Sequence, residues 1–176
     1  MQKITWTLTF LVAFSLPAPS SAQHHAAVLD QASVDRGHAM GARYEDLQWQ
    51  PIVPELGADS PQVSILRVDP KTQATQLLIR VPKAMHVPVH WHSANETHTV
   101  IRGTFVFEHE GKRHELGAGG FNYLPARLHH QAWATDDSLV FITVDSGWDI
   151  NWVSGPPTKS DLGQRPPVDS GPGGSR

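Results

Sequence analysis

Short runs of alternating apolar and polar residues, separated by glycine and proline, follow one another from the segment LQWQPIVPELG at 47–57 to residue 153. In a β-strand every second side chain lies on the same face, and glycine and proline are typical of the turns between strands. No convincing long helical pattern interrupts these runs. The alternation predicts an antiparallel fold, closed or in two layers, with short strands at 62–68, 74–81, 86–92, 97–102, 104–109, 112–116, 121–124, 130–134, 139–145 and 148–153.

The N-terminal segment predicts export. Lys3 precedes an apolar run at 4–16, and small residues then lead to a predicted cleavage after Ala22. The apolar run is shorter than the roughly 20 residues that span a bilayer. We therefore expect residues 1–22 to be a cleaved signal peptide and the mature protein to be periplasmic or secreted, without membrane attachment after cleavage.

The rest of the chain is predicted to hold one domain at 46–153, because the roughly 150 residues left after cleavage suit a single hydrophobic core. Residues 23–45 have a weak pattern and are predicted to be a loosely attached arm with a short helix at 26–35. Residues 154–176 are rich in proline, glycine and serine with almost nothing apolar to bury, which predicts a disordered tail.

Composition excludes several classes of function. The sequence has no cysteine, so disulfides and thiol chemistry are excluded. The formal net charge is −3, and no basic cluster is present, so we expect no nucleic-acid partner and no binding to anionic membranes.

The stretch VHWHSANETHTVIRG at 89–103 contains three side chains of the metal-binding type. His90 and His92 are two residues apart, so a strand directs both to the same face. The turn at 93–95 brings Glu96 back towards them at the start of the next strand. Imidazole and carboxylate ligands without thiolates suit Zn, Fe, Mn, Ni or Cu. An isolated His-x-His pair would more often be exposed and solvated, but this spacing predicts a metal site.

A fourth ligand is expected from the segment GGFNYLPARLHHQAW at 119–133. In this segment Pro125 ends an apolar strand, and His129 and His130 stand at the head of the next one. Strand parity directs only one of the two histidines inward, and the local pattern leaves open which one.

The first of these segments resembles the first sequence motif of the cupin superfamily, in which His-x-His, a glutamate and two glycines stand at fixed spacing. His90, His92, Glu96 and Gly103 match this motif, whereas Ala84 stands where the family has its leading glycine.

The second segment resembles the second cupin motif through Gly119, Pro125 and His130. Arg127 replaces a loop glycine of the family, and Ala134 replaces an asparagine. These departures affect the geometry of turns more than the ligands. The resemblance, through the family's spacing from the proline to the histidine, implies that His130 is the ligand.

The resemblance covers roughly residues 60–153 and implies an all-β, cupin-type double-stranded β-helix, a jelly-roll barrel. It also implies one divalent metal ion in a mouth of the barrel, held by His90, His92, Glu96 and His130, and a small-molecule ligand. It favours a homodimer. A weaker similarity to the cupin domain of zinc-dependent anti-sigma factors is not extended to regulation.

Two further residues are candidate catalytic groups. His98 follows Glu96 by two positions, so it shares the ligand face as a hydrogen-bonding neighbour of the ligands or a general base; the alternative is a cross-strand polar contact. Tyr123 is interpreted as a wall or core residue; the alternative is that it presents its hydroxyl to a substrate. His86 has the parity of His90 but lies about 13 Å along the strand, too far for a ligand.

These features favour a metal-dependent enzyme of the dioxygenase or isomerase/lyase type that acts on a small oxygen-rich organic molecule. Four protein ligands on an octahedral ion leave two positions for substrate or dioxygen. The alternative is a non-catalytic module with a structural metal or a bound small ligand.

Overall fold

The computed structural model describes residues 39–167, so the predicted signal peptide at 1–22 and the predicted helix at 26–35 lie outside the described residues. Eleven strands form within residues 39–167: β1 (Gln50–Pro51), β2 (Gln62–Val68), β3 (Thr75–Val81), β4 (Met85–Trp91), β5 (Glu96–Arg102), β6 (Phe105–His109), β7 (Lys112–Leu116), β8 (Phe121–Leu124), β9 (His130–Ala134), β10 (Ser138–Val144) and β11 (Asn151–Trp152).

The strands form two antiparallel sheets, in the orders β1-β2-β3-β10-β5-β8 and β11-β4-β9-β6-β7. Their inner faces share one core, in which Leu77 and Ile142 of the first sheet and Met85 and Phe107 of the second are at most 3% exposed. Burial of each such side chain contributes roughly 1.5–3 kcal/mol to folding. The predicted all-β fold in two layers is confirmed.

The predicted strand positions agree closely with the structure. Those at 62–68, 112–116, 121–124 and 130–134 match to the residue, and five others differ by one residue at one end or at both ends. The run at 148–153 shortens to Asn151–Trp152, and the two-residue strand Gln50–Pro51 has too short a pattern to be predicted. Three short 3₁₀ helices occur among residues 39–167, and no helix there is long and apolar enough to cross a bilayer.

Gly103 allows the chain to pass from β5 to β6 close against β10. Its φ is +80°, and a Cβ there would lie 2.2 Å from Ser138 Oγ and 2.9 Å from Ser138 Cα. Because only glycine meets both conditions, the closing glycine of the first motif serves the packing of the barrel.

The segment at 154–167, here called the C-terminal strap, differs from the prediction of a disordered tail beginning at 154. Leu162 pairs with Met85, and the Gly163 amide donates to the Ala84 carbonyl over 2.6 Å. His86 Nδ1 lies 3.2 Å from Asp161 Oδ1. Backbone and side-chain hydrogen bonds to β4 therefore order a segment that has few apolar residues to bury.

Candidate metal centre

Three buried histidines converge at one end of the barrel. His90 lies in β4 directly opposite His130 in β9, and His92 follows the end of β4. Their side chains are 3–6% exposed, and one nitrogen of each lies within 4.8 Å of those of the other two. The predicted His-x-His pair and His130 thus come together in space.

A β-bulge in β4 directs His90 inward. Between Val87 and His90 the register shifts, so that two residues of β4 face the single residue Gln131 of β9. Pro88 is one of the two, and proline is tolerated there because a bulge does not require its missing N–H. Because of the extra residue, Val87 and His90 both face the interior and His86 does not.

The bulge explains the position of His86. In a regular strand His86 would lie on the same face as His90, because the two are four residues apart. His86 lies outside the barrel, stacked on Trp133 with ring centroids 4.9 Å apart, and its Nε2 is 2.9 Å from Gln131 Oε1. The expectation that His86 is too distant for a ligand agrees with this position.

Backbone carbonyls orient all three imidazoles of the cluster. His90 Nδ1 donates to Pro88 O over 2.7 Å, His130 Nδ1 donates to Leu128 O over 3.0 Å, and His92 Nδ1 donates to Asp149 O. Since Nδ1 carries the donated proton, Nε2 of each neutral ring keeps a free lone pair. Metal-binding histidines characteristically have this arrangement.

Glu96 begins β5 with its side chain 1% exposed. Its Oε1 accepts a hydrogen bond from Trp148 Nε1 over 3.3 Å. Its Oε2 lies 3.0 Å from His92 Nε2 but has no hydrogen-bond partner among residues 39–167. Two acceptor atoms this close repel one another unless a proton or a cation lies between them, as two ligands of one ion would allow.

The pKa values of the four side chains separate His90 and His130 from the His92–Glu96 pair. Burial lowers the pKa of His130 to about 4 and takes the pKa of His90 well below its ordinary value. Burial also opposes charge on His92 and Glu96, but the attraction between the two groups has the larger effect. The pKa of His92 is therefore raised and the pKa of Glu96 is lowered. At neutral pH His90 and His130 therefore offer lone pairs, whereas Glu96 and His92 together favour a positive charge between them, which a proton or a cation can supply.

The loop between β10 and β11 supports the turn between His92 and Glu96. Asp149 accepts hydrogen bonds from the amide and hydroxyl of Ser93 over 2.8 and 2.6 Å. Asp145 accepts from the amide and side chain of Asn95 over 3.0 and 2.5 Å. The sequence alone did not predict this role, for which the two carboxylates on either side of Trp148 are the available signal.

Arg127, which stands where the cupin motif has a loop glycine, has a left-handed backbone conformation of the kind that glycine adopts readily. Its φ is 65°, and its amide donates to the His92 carbonyl over 2.8 Å. The loop therefore keeps its register. His130 faces the interior at 3% exposure, whereas His129 is exposed to solvent.

The two candidate catalytic residues lie on different sides of the barrel wall. His98 is 6% exposed, with Nε2 3.4 Å from Glu96 Oε2 and its ring 4.7 Å from that of Phe107. Tyr123 is 53% exposed on the outer face of β8, where its hydroxyl donates to Asn95 Oδ1 over 3.3 Å. The structure brings His98 to the cluster and leaves Tyr123 away from it, because inward positions in β8 alternate with Tyr123.

These residues fit a divalent metal. The three imidazole nitrogens form a donor set of intermediate hardness, and each ring is already held by its other nitrogen. Glu96 is not within 4.8 Å of all three, but its unpartnered Oε2 is a further donor next to His92. A separation of 3.0 Å between His92 Nε2 and Glu96 Oε2 is what two ligands about 2.1 Å from one ion would have at a right angle.

Comparison with known proteins supports the fold. Residues 77–145 match the family model described as the cupin domain. The structure is similar to the RmlC-like cupin from Shewanella frigidimarina, with a TM-score of 0.51 and 18% identity over 61% of this chain and 90% of that chain. It is similar to the polyketide cyclase RemF from Streptomyces resistomycificus, with a TM-score of 0.53 and 18% identity over 66% and 86% of the two chains.

A third similar structure is a putative acetylacetone dioxygenase from Methylibium petroleiphilum, with a TM-score of 0.52 and 14% identity over 70% of this chain and 88% of that chain. Comparison with curated proteins finds no match. At these identities the similar structures establish the fold, and the predicted cupin-type jelly-roll architecture is confirmed.

Proposed function

Because residues 77–145 form a cupin domain, we propose that this chain is a metal-dependent enzyme acting on a small organic molecule that bears oxygen donors. The observation that carries the proposal is the close approach of His92 Nε2 and Glu96 Oε2, both buried, next to the equally oriented His90 and His130. Burial of such a donor set costs desolvation free energy, which a bound cation would offset.

In this proposal His90, His92, Glu96 and His130 hold one divalent ion of the group Fe, Mn, Zn, Ni or Cu. When bound, the ion supplies a Lewis acid with positions open to substrate oxygens. The carbonyls of Pro88, Leu128 and Asp149 fix the imidazole rings, and the Trp148 indole fixes Glu96.

His98 is the proposed proton acceptor. Burial lowers its pKa, so the ring is neutral at physiological pH, and its Nδ1 is buried without a hydrogen-bond partner among residues 39–167. A neutral, unpartnered imidazole nitrogen can accept a proton from a bound substrate. Tyr123 has no part in this proposal, since it lies on the outer face.

The similar structures support an enzyme without naming the substrate. A polyketide cyclase and a putative acetylacetone dioxygenase share this fold. Fold similarity alone does not transfer a reaction, so the choice between dioxygenase and isomerase/lyase chemistry rests on experiment.

A non-catalytic module is the second candidate, and the burial of the cluster favours it. All four proposed ligands are at most 6% exposed, as expected for a metal that stabilises the fold without meeting a substrate. A catalytic ion must exchange water or substrate, whereas a structural ion does not.

Metal analysis followed by turnover assays separates these candidates. Protein purified without added metal or chelator is expected to contain near-equimolar metal. Its melting temperature is expected to fall when a chelator removes that metal. Dioxygen uptake and product formation are then measured with a panel of diols, keto acids and phenols. Absence of metal would overturn the proposal; metal with a chelation-sensitive fold but no reaction across the panel would favour the structural module.

We also propose that the protein is exported, on the basis of the apolar run and small residues at 1–22. N-terminal sequencing of the protein recovered from the periplasm or medium is expected to begin at Gln23. Recovery of a chain beginning at Met1 in the cytoplasm would contradict export.

A further inference from the structure

An apolar cavity of about 80 Å³ lies between the two sheets. Its wall includes Phe105, Phe107, Val140, Ile142, Ile150 and Trp152. His98 is the one titratable side chain in this wall, all of which belongs to the described residues. The cavity therefore combines an apolar surface with a single imidazole.

The cavity adjoins the proposed metal ligands on two sides. The Trp152 ring centroid is 5.0 Å from that of His90, and Trp152 pairs with His90 across β11 and β4. His98 Nε2 is 3.4 Å from Glu96 Oε2. A molecule in the cavity would therefore be separated from the ligand cluster by no more than one side chain.

Hydrogen bonding identifies which atom of His98 is available. The Glu96 carboxylate facing Nε2 favours the tautomer that has its proton on Nε2, and a neutral imidazole carries only one such proton. Nδ1 is then an acceptor, and it is buried without a partner among residues 39–167. A water molecule needs two to four polar partners to be held in a cavity, and the apolar wall supplies few.

We propose that this cavity binds the body of the substrate, and that this body is compact and apolar, with one hydroxyl or N–H group that donates to His98 Nδ1 and with the oxygen donors of the substrate on the side of the ligand cluster. The inference rests on the proposed function and narrows it, since the sequence suggested an oxygen-rich molecule. Several hydroxyl groups would lose their hydration against this wall without finding partners. A cavity of about 80 Å³ is also smaller than the engineered cavity of roughly 150 Å³ that accepts benzene, which favours a short aliphatic body.

The test compares two small probes, 2-methyl-1-propanol and glycerol, by NMR titration of the ¹⁵N-labelled protein. The alcohol is expected to bind at least tenfold more tightly than glycerol and to shift the ¹⁵N resonance of His98 Nδ1. Equal or tighter binding of glycerol would overturn the inference.

The variant His98→Leu keeps an apolar side chain in the wall but removes the acceptor, and His129→Leu is the surface control. We expect at least tenfold weaker binding of the alcohol to His98→Leu and unchanged binding to His129→Leu. If His98→Leu does not fold, Ala132→Leu, which reduces the cavity volume, is expected to weaken binding instead. Unchanged alcohol binding in the folded variants would overturn the inference.

The titrations are made with metal-free protein and with protein loaded with Zn²⁺. Selective alcohol binding by a protein that takes up no metal would support the cavity while refuting the proposed enzyme. Normal metal content without selective alcohol binding would refute the cavity and leave the proposed function standing.

Discussion

Glu96 Oε2 lies 3.0 Å from His92 Nε2 at the centre of the candidate site, and the oxygen has no hydrogen-bond partner among residues 39–167. Glu96→Gln tests this relationship, because the amide of Gln can donate to His92 Nε2 but is a weaker ligand for a cation. We expect at least tenfold lower metal affinity with no loss of stability in the metal-free protein. Calorimetric titration with metal measures the affinity, and denaturant unfolding in the presence of chelator measures the stability of the metal-free protein.

Glu115→Gln is the matched control, since Glu115 is exposed on β7. This substitution also removes one negative charge, but at a position away from the cluster, and it should leave metal affinity unchanged. Equal affinities of the Glu96 and Glu115 variants would exclude Glu96 as a ligand.

His129 and His130 are neighbours with opposite orientations. His130→Ala removes a buried nitrogen of the cluster and should greatly reduce metal content, whereas His129→Ala changes an exposed side chain and should leave it near that of the parent. Metal content of the two variants, purified side by side, measures the difference. An empty His129→Ala protein would show that the assignment is reversed.

Acid should destabilise the metal-free protein through His130. Its pKa is about 4 in the folded state and about 6.5 when unfolded, so the unfolded chain binds more protons between these values. Stability is therefore lost as pH falls from 6.5 towards 4, by up to about 3 kcal/mol from this residue. Burial of His90 acts in the same direction, because its pKa is also lowered.

His130→Gln isolates that contribution, since Gln does not titrate. The free energy of unfolding, measured in chelator at pH 7 and pH 4.5, should decrease less in His130→Gln than in the parent. Identical decreases in the two proteins would mean that His130 does not have the lowered pKa.

The alternating pattern was sufficient to predict most strands and the shared face of His90 and His92, because burial alternates along regular strands. The choice of His130 over His129 depended on the resemblance to the second cupin motif. The alternating pattern could not predict that His86 faces outward, since the bulge between Val87 and His90 breaks the period of two. Nor could it predict the order of the C-terminal strap, which depends on hydrogen bonds to β4 that come from distant residues.

Arg127 holds a left-handed conformation with φ of 65°, which costs a residue with a Cβ about 1–2 kcal/mol. Arg127→Gly removes this strain, and Arg127→Ala retains it while also losing the arginine side chain. After allowance for the greater freedom of unfolded glycine, we expect the Gly variant to be more stable than the Ala variant by about 1 kcal/mol. Thermal unfolding of the two measures the difference, and a more stable Ala variant would contradict the conformation of this loop.

Gly103→Ala should be far more damaging than Gly111→Ala, although both glycines have positive φ, +80° and +72°. The added Cβ at Gly103 would lie 2.9 Å from Ser138 Cα, whereas nothing lies within 4 Å of the one at Gly111. Ser138 is fully buried and its hydroxyl donates to the Thr135 carbonyl over 2.7 Å, so it cannot easily move away.

The conformational cost is common to the two substitutions, at about 1 kcal/mol, and the clash is added only at Gly103, where we expect a total loss above roughly 3 kcal/mol. Denaturant unfolding of both variants measures these losses. Equal losses would show that β5 and β10 are not held as closely at Ser138 as the structure has them. The requirement for glycine at 103 would then come from its backbone conformation alone.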